Sequence, residues 1–119
     1  MPAAKDGLGR YGEDLAAVHL VAHGHRLLAR NWRCAGGEID ILATEGDTLV
    51  VCEVKTRSST RFGLPAEAVT AVKARRLRRL AAAWLAASGG GFDTVRFDVV
   101  AVLRPRTGPA QIEHLRGVL

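Results

Sequence analysis

The chain predicts an α/β sandwich built on a mixed β-sheet, and three observations carry that prediction. Its elements read in the order α-β-β-β-α-β-β. Its apolar runs are short, and several alternate as strands do. At 119 residues and 48% apolar composition it has enough material for one domain with a real core and too little for two. The domain is expected to span residues 1–119, with a core from about 9 to 103 and a C-terminal loop and edge strand in 104–119.

The first helix is predicted from Glu13 to Ala22, with Leu15, Val18 and Ala22 at helical spacing and Gly24 as its stop. Arg26 to Asn31 begins the sheet as a short strand ending around Asn31-Trp32-Arg33. Gly37-Glu38-Ile39-Asp40-Ile41-Leu42 is the second strand, and Thr44-Glu45-Gly46-Asp47 supplies a hairpin turn. Leu49-Val50-Val51-Cys52 leads into a third strand through Lys55. Ser58 to Leu64 is polar and glycine-containing, hence a loop, and Pro65 starts a helical turn through Val69. Thr70 caps a longer helix from Ala71 to about Ala87, with Leu77, Leu80 and Trp84 as its buried stripe. Ser88-Gly89-Gly90-Gly91 ends that helix. Thr94 to Leu103 alternates around Val95, Phe97 and Val99 as a strand, and Gln111 to Leu115 is a short edge strand.

No apolar stretch is long or charge-free enough to span a bilayer, and the N-terminus lacks the apolar segment of a secretory signal. The two cysteines, Cys34 and Cys52, lie at no metal-ligand spacing, and Cys52 alternates inward with Val50 and Val54. A reduced cytoplasmic protein with a core thiol is the simplest account.

The chemistry concentrates at Glu53-Val54-Lys55. On a strand, Glu53 and Lys55 share a face while Val54 turns into the core. Folding the hairpin brings Asp40 toward Glu53. Such an arrangement suits a metal ion, an attacking water and a phosphodiester. The plainer alternative is a solvated Glu53–Lys55 pair contributing about 0–1 kcal/mol. Against it, both acids sit inside apolar segments, where unpaired charge is costly. Two carboxylates ~5 Å apart repel by about 3 kcal/mol at an effective dielectric of ~20, so a site holding both ionised calls for a cation.

The net charge of +5 comes from 17 basic and 12 acidic residues, and its distribution is more telling than its size. Five cations fall in Lys73-Ala74-Arg75-Arg76-Leu77-Arg78-Arg79, while Arg26, Arg30, Arg33, Arg57 and Arg61 surround the acidic hairpin. Charges this dense suit a phosphate-tracking face, the alternative being a solvated helix surface.

Glu13, Gly37-Glu38-Ile39-Asp40, Glu53-Val54-Lys55-Thr56-Arg57, Phe62-Gly63, Lys73 and Arg96-Phe97-Asp98-Val99 together resemble the pattern of the bacterial YraN-like family. The likeness runs from about Gly9 to Leu103. That family is similar in fold to archaeal Holliday-junction resolvases and the PD-(D/E)xK nucleases. The resemblance implies a restriction-endonuclease-like, three-layer sandwich with a central mixed sheet flanked by helices. It makes Asp40 and Glu53 the metal-binding carboxylates, with the Val54 carbonyl as a further ligand and Glu13 as the helix-borne acid completing the site. Lys55 would orient the attacking water and stabilise charge growing on the phosphate. Magnesium is the implied cofactor, with manganese able to substitute. Ile39 stands where the superfamily name has proline.

The resemblance thus points to a magnesium-dependent endonuclease acting on branched or structured DNA. Arg57, Arg61, Lys73, Arg75, Arg76 and Arg79 are the expected DNA contacts. A homodimer is expected, because one protomer's basic helix spans only about 9 Å. The competing class is a non-catalytic DNA-binding or assembly protein that keeps the fold. Glu38 is either a supporting acid or a partner of Arg33 or Arg57, and Asp98 is expected to pair with Arg96. His19, His23 and His25 have no evident acid or cysteine to complete a metal site. Trp32 is expected at the core or its rim, and the low aromatic content argues against single-strand binding by stacking.

Overall fold

The computed structural model describes residues 7–59 and 70–118. Its elements are α1 (Gly7–Ala22), β1 (Arg26–Cys34), β2 (Gly37–Glu45), β3 (Thr48–Arg57), α2 (Ala71–Ser88), β4 (Thr94–Leu103) and β5 (Gln111–Leu115). That is the predicted order. The strands form one mixed sheet in the spatial order β1-β2-β3-β4-β5. Tight connections make β1/β2 and β2/β3 antiparallel; Gly46, at φ 58°, takes the left-handed position in the β2–β3 turn. The pair β3/β4 is parallel, and a parallel pair needs a crossover, which α2 supplies. The edge strand β5 then returns antiparallel to β4.

Each face of the sheet carries its own core. Ala16, Ala17 and Leu20 of α1 pack with Ile41, Ala43, Val50, Cys52, Val100 and Val102. Leu77, Leu80 and Ala81 of α2 pack with Ile39, Leu42, Leu49 and Val51. The result is an α/β/α sandwich. Because both faces of β3 are covered, its run from Leu49 to Cys52 is apolar throughout while its side chains still alternate between the two cores. Burial pushes the Cys52 thiol well above its ordinary pKa, so the predicted core thiol is an inert apolar group. Thr70 caps α2, its hydroxyl accepting the Lys73 N–H at 3.2 Å, and Gly89, at φ 90°, closes the other end.

Four local predictions are corrected. Helix α1 starts at Gly7 rather than Glu13, and β1, β2 and β3 each run further than predicted. The buried stripe of α1 is Gly12, Glu13, Ala16, Ala17 and Leu20, whereas Val18 is 67% exposed. The reason is proximity: a Cβ placed on Gly12 would collide with the Thr56 side chain, so this contact selects the smallest residues rather than the most apolar. Trp84 is half-buried at the rim of the α2 core, tilted against Phe92, rather than a full member of the stripe. Among the described residues no helix is long and apolar enough to cross a membrane. The predicted turn from Pro65 to Val69, together with Arg61 and Phe62-Gly63, lies outside the described residues.

Candidate active site

The site begins where the β2–β3 ladder stops. Pairing runs from Glu45↔Thr48 to Ile41↔Cys52, and the next residues in that register are Asp40 and Glu53. There a side chain takes over from the backbone: Asp40 Oδ2 accepts the Val54 N–H at 2.8 Å. The alternation of β2 breaks at this residue, since Ile39 belongs to the α2 core and Ile41, two positions on, to the α1 core. The break is shared with β1. Asn31, between the pairs Arg30↔Ile41 and Trp32↔Ile39, sits at φ 52°, a left-handed conformation that asparagine tolerates better than most side chains. Its carboxamide donates to Glu13 Oε1 at 2.7 Å. Two facing strands thus kink together, one aiming an aspartate at β3 and the other holding a glutamate on α1.

Glu53 shares the α2 face with Leu49 and Val51 and is mostly covered. Lys55 Nζ and Lys73 Nζ each stand 3.5 Å from the same oxygen, Glu53 Oε1. Burial, and then the neighbouring Lys73 ammonium, lower the Lys55 pKa from its ordinary value. A cleft of about 200 Å³ opens at this point, lined by Glu38, Asp40, Glu53, Arg76 and Leu77. Glu38 meets Arg33 at 2.7 Å, one of the two partners predicted for it.

The structure therefore brings together Asp40, Glu53, Lys55, Lys73, Arg76 and Glu38. Val54 contributes its N–H to Asp40 and its side chain to the α1 core. Arg75 and Arg79 are exposed on α2, beside the cleft-lining Arg76. Arg57 is half-buried, and its Nε makes no hydrogen bond among the described residues. Glu13 is set apart on the α1 side of the sheet, 1% exposed, accepting from Arg30 Nε at 3.3 Å and Nη2 at 3.2 Å as well as from Asn31. Among the described residues no three His, Cys, Asp or Glu side chains form a closed metal-ligand set. Lys73 is the residue whose position the sequence missed. It was expected on a phosphate-contacting face, but lies one helical turn before Leu77 and so faces the sheet, where it reaches Glu53.

A second polar cluster lies on the α1 face of the sheet. Asp98 is fully buried and pairs with Arg96, as predicted, through Nε and Nη2 at 2.9 Å each. It also takes His114 Nε2 at 2.7 Å and the Gly117 N–H at 3.0 Å. Burial opposes its charge, but the donors from His114, Arg96 and Gly117 outweigh that and hold the carboxyl far below the usual carboxylate range. The sequence offers the histidines no acid to complete a metal site, and the fold brings acids near them without forming such a set among the described residues. His25 stands 3.7 Å from Glu45, and His19 meets His114, which carries Asp98 behind it. No sequence spacing signals these contacts, because His19 and His114 are 95 positions apart.

Residues 12–102 match the uncharacterised protein family UPF0102. The chain is 59% identical over 114 residues to a UPF0102 protein of Frankia casuarinae, covering 96% of this chain and 97% of that one. It is 55% identical over 116 residues to a UPF0102 protein of a Nocardioides species, covering 98% of this chain and 94% of that one. An Arthrobacter relative is 54% identical over 115 residues, covering 97% and 98%.

Proposed function

This chain belongs to the UPF0102 family, and from its site we propose that it is a metal-dependent endonuclease cutting phosphodiester bonds in branched or otherwise structured DNA. The observation that carries the reading is the union of Asp40 and Glu53 with two lysines at the mouth of an arginine-bordered cleft. Carboxylate oxygens are the hard donors that magnesium prefers, and two acids balanced by two ammonium groups suit exchange of an ammonium for a dication. Asp40, Glu53 and the Val54 carbonyl would hold the ion, while Glu13, expected to complete the set, is held by Arg30 and Asn31 on the α1 side of the sheet and stays outside it. When bound, the ion would supply Lewis-acid stabilisation of the phosphate and an acidified water. Lys55 would hold the attacking water and neutralise charge growing on the phosphate, and its lowered pKa suits a proton-accepting role. Arg75, Arg76 and Arg79 would track the backbone, along with Arg57 and Arg61. Two-fold pairing, part of the same proposal, would set two sites on opposite strands.

The test is magnesium-dependent cleavage of a panel of duplex, flap and four-way-junction DNA, with Glu53→Ala as control. Cleavage by the parent and none by the variant is the expected result. A second reading, a DNA-binding protein without turnover, is favoured by the lack of a closed three-acid ligand set among the described residues. Under that reading no DNA in the panel is cut. Binding would still weaken in an Arg75→Ala, Arg76→Ala, Arg79→Ala triple variant, with a flatter dependence on salt.

A further inference from the structure

The C-terminal ends of β3 and β4 carry cations on both faces of the sheet. These strands are the parallel pair, in register from Thr48↔Thr94 to Arg57↔Leu103, and the pairing continues one step further as the Arg104 N–H donates to the Arg57 carbonyl at 2.8 Å. Glu53, Lys55 and Arg57 alternate onto the α2 face. Arg104, just past β4, turns instead toward α1, where its guanidinium lies over the Tyr11 ring, 4.8 Å from the centroid. Tyr11 itself packs on the α1 core with Val54. Neighbouring residues thus link the acidic cleft, around the end of the sheet, to its α1 face.

Charge is polarised along this pair of strands. Glu45, Asp47 and Asp93 lie at the N-terminal ends, where the Asp93 N–H donates to the Asp47 carbonyl at 3.0 Å, and the arginines near them, Arg96 and Arg116, meet Glu45 at 2.7 and 3.1 Å. At the C-terminal ends Arg57 is half-buried, with its Nε unbonded among the described residues, and Arg104 is exposed and steadied by a ring. A cation–π contact orients a guanidinium without using its N–H donors, which remain for an anion. Their planar fork suits phosphate oxygens. The crevice outside the carboxyl ends of parallel strands is also where sheets of this kind bind ligands.

We propose that Arg104, positioned by Tyr11, contacts the DNA backbone, and that a strand running from the acidic cleft passes around the C-terminal ends of β3 and β4, from Lys55 over Arg57 to Arg104. The inference rests on the reading that DNA enters the cleft. Glu53 and Arg57 are four residues apart on β3, about 13 Å at ~3.3 Å per residue, or about four nucleotide steps at ~3.4 Å. Arg104 carries the basic track onto the other face of the sheet, supplying footprint that the ~9 Å basic stretch of α2 lacks.

The test is fluorescence anisotropy of a labelled flap DNA between about 50 and 200 mM salt, in EDTA to stop metal-dependent cleavage and keep divalent ions out of the salt dependence. Arg104→Ala is expected to weaken binding about fivefold and to flatten the slope of log affinity against log salt by about 0.7–0.9, the share of one phosphate contact. Arg116→Ala, which removes the same charge at the opposite end of the strands, should keep the parent's slope. Tyr11→Leu should weaken binding about twofold or more, Tyr11→Phe should restore it, and Tyr11→Leu should add nothing in an Arg104→Ala background. An Arg104→Ala slope equal to the parent's, or a loss matched by Arg116→Ala, overturns the proposal; magnesium-dependent cleavage by the same parent then leaves the nuclease reading standing. Tyr11→Phe binding as weakly as Tyr11→Leu overturns the positioning role of the ring. The expected slopes in a parent that cuts none of the DNA panel keep the basic track and overturn the nuclease reading. A parent that binds no DNA overturns both.

Discussion

Asp98 and Glu53 sit on neighbouring strands, one residue apart in register and on opposite faces of the sheet, and their surroundings could hardly differ more. Asp98 is fully buried and receives four hydrogen bonds between 2.7 and 3.0 Å, from Arg96, His114 and the Gly117 backbone. Glu53 lines an open cleft and is met by two ammonium groups at 3.5 Å. A carboxylate saturated with short bonds is committed to the fold. One held loosely between cations can change partners, which is what a binding site requires. The contrast teaches that saturation, more than the mere presence of charge, separates a structural acid from a functional one.

The largest expected effect tests the committed side. Asp98→Ala leaves Arg96 and His114 facing a buried gap, and losing one partner of a buried ion pair costs about 3–5 kcal/mol. Denaturant titration should show this as a lower midpoint. Glu53→Ala, by contrast, should cost only about 1 kcal/mol, because its contacts with Lys55 and Lys73 are long, at 3.5 Å, and both ammonium groups keep access to water. Equal losses in the two variants would erase the distinction.

Next comes chemistry on the open side. Lys55→Ala should keep the parent's midpoint and lower magnesium-dependent cleavage by about two orders of magnitude, the scale of removing one electrostatic stabiliser. A rate near that of the parent in a cleaving protein would reduce Lys55 to a surface partner of Glu53.

Gly12→Ala sharpens the link between the two faces. The added methyl group meets the Thr56 side chain at the α1–β3 contact, and overpacking of this kind costs about 1–3 kcal/mol. The double variant with Thr56→Ser, which removes one of the colliding carbons, should recover part of the loss. An unaltered midpoint in Gly12→Ala would show that α1 is less tightly seated on β3 than the contact implies.

The gentlest probe is pH. Burial, then the neighbouring histidines, lower the pKa of His19; burial also lowers that of His25 despite the opposing pull of Glu45. Near neutrality and just below, the unfolded chain therefore binds more protons than the folded one, so stability falls as pH drops through the ordinary histidine range near ~6.5. The sign for Asp98 is set by its depressed pKa: its contribution is present above the ordinary carboxylate range and is lost as pH falls toward its folded value. Melting curves should thus show two declines, a shallow one below about pH 6.5 and a steeper one below about pH 4. His19→Ala should shrink the first and leave the second. A flat profile between pH 7 and 5 would mean that the histidines are not held neutral by the fold.

Much of this molecule is written in short-range patterns. The element order, the Thr70 cap, the β2–β3 turn and the strand bounds Thr94–Leu103 and Gln111–Leu115 follow from periodicity and turn chemistry, because these are decided by neighbours in the chain. The approach of Asp40 to Glu53 at one cleft was also readable, since a two-residue turn fixes the antiparallel register up to Ile41 and Cys52 and so brings the residues just beyond them together. What the sequence could not decide is which face of α1 is buried, because the choice rests on how closely Gly12 approaches Thr56 across the sheet. Nor could it place Lys73 on Glu53, or bring His114 and Asp98 to His19, for these contacts join residues 16 to 95 positions apart. The facing kinks at Asn31 and Asp40 belong to the same class. Local propensity acts over a few residues, whereas burial and hydrogen-bond saturation are settled only when distant strands and helices close on one another, and in this protein that closure separates the loosely held acid from the locked one.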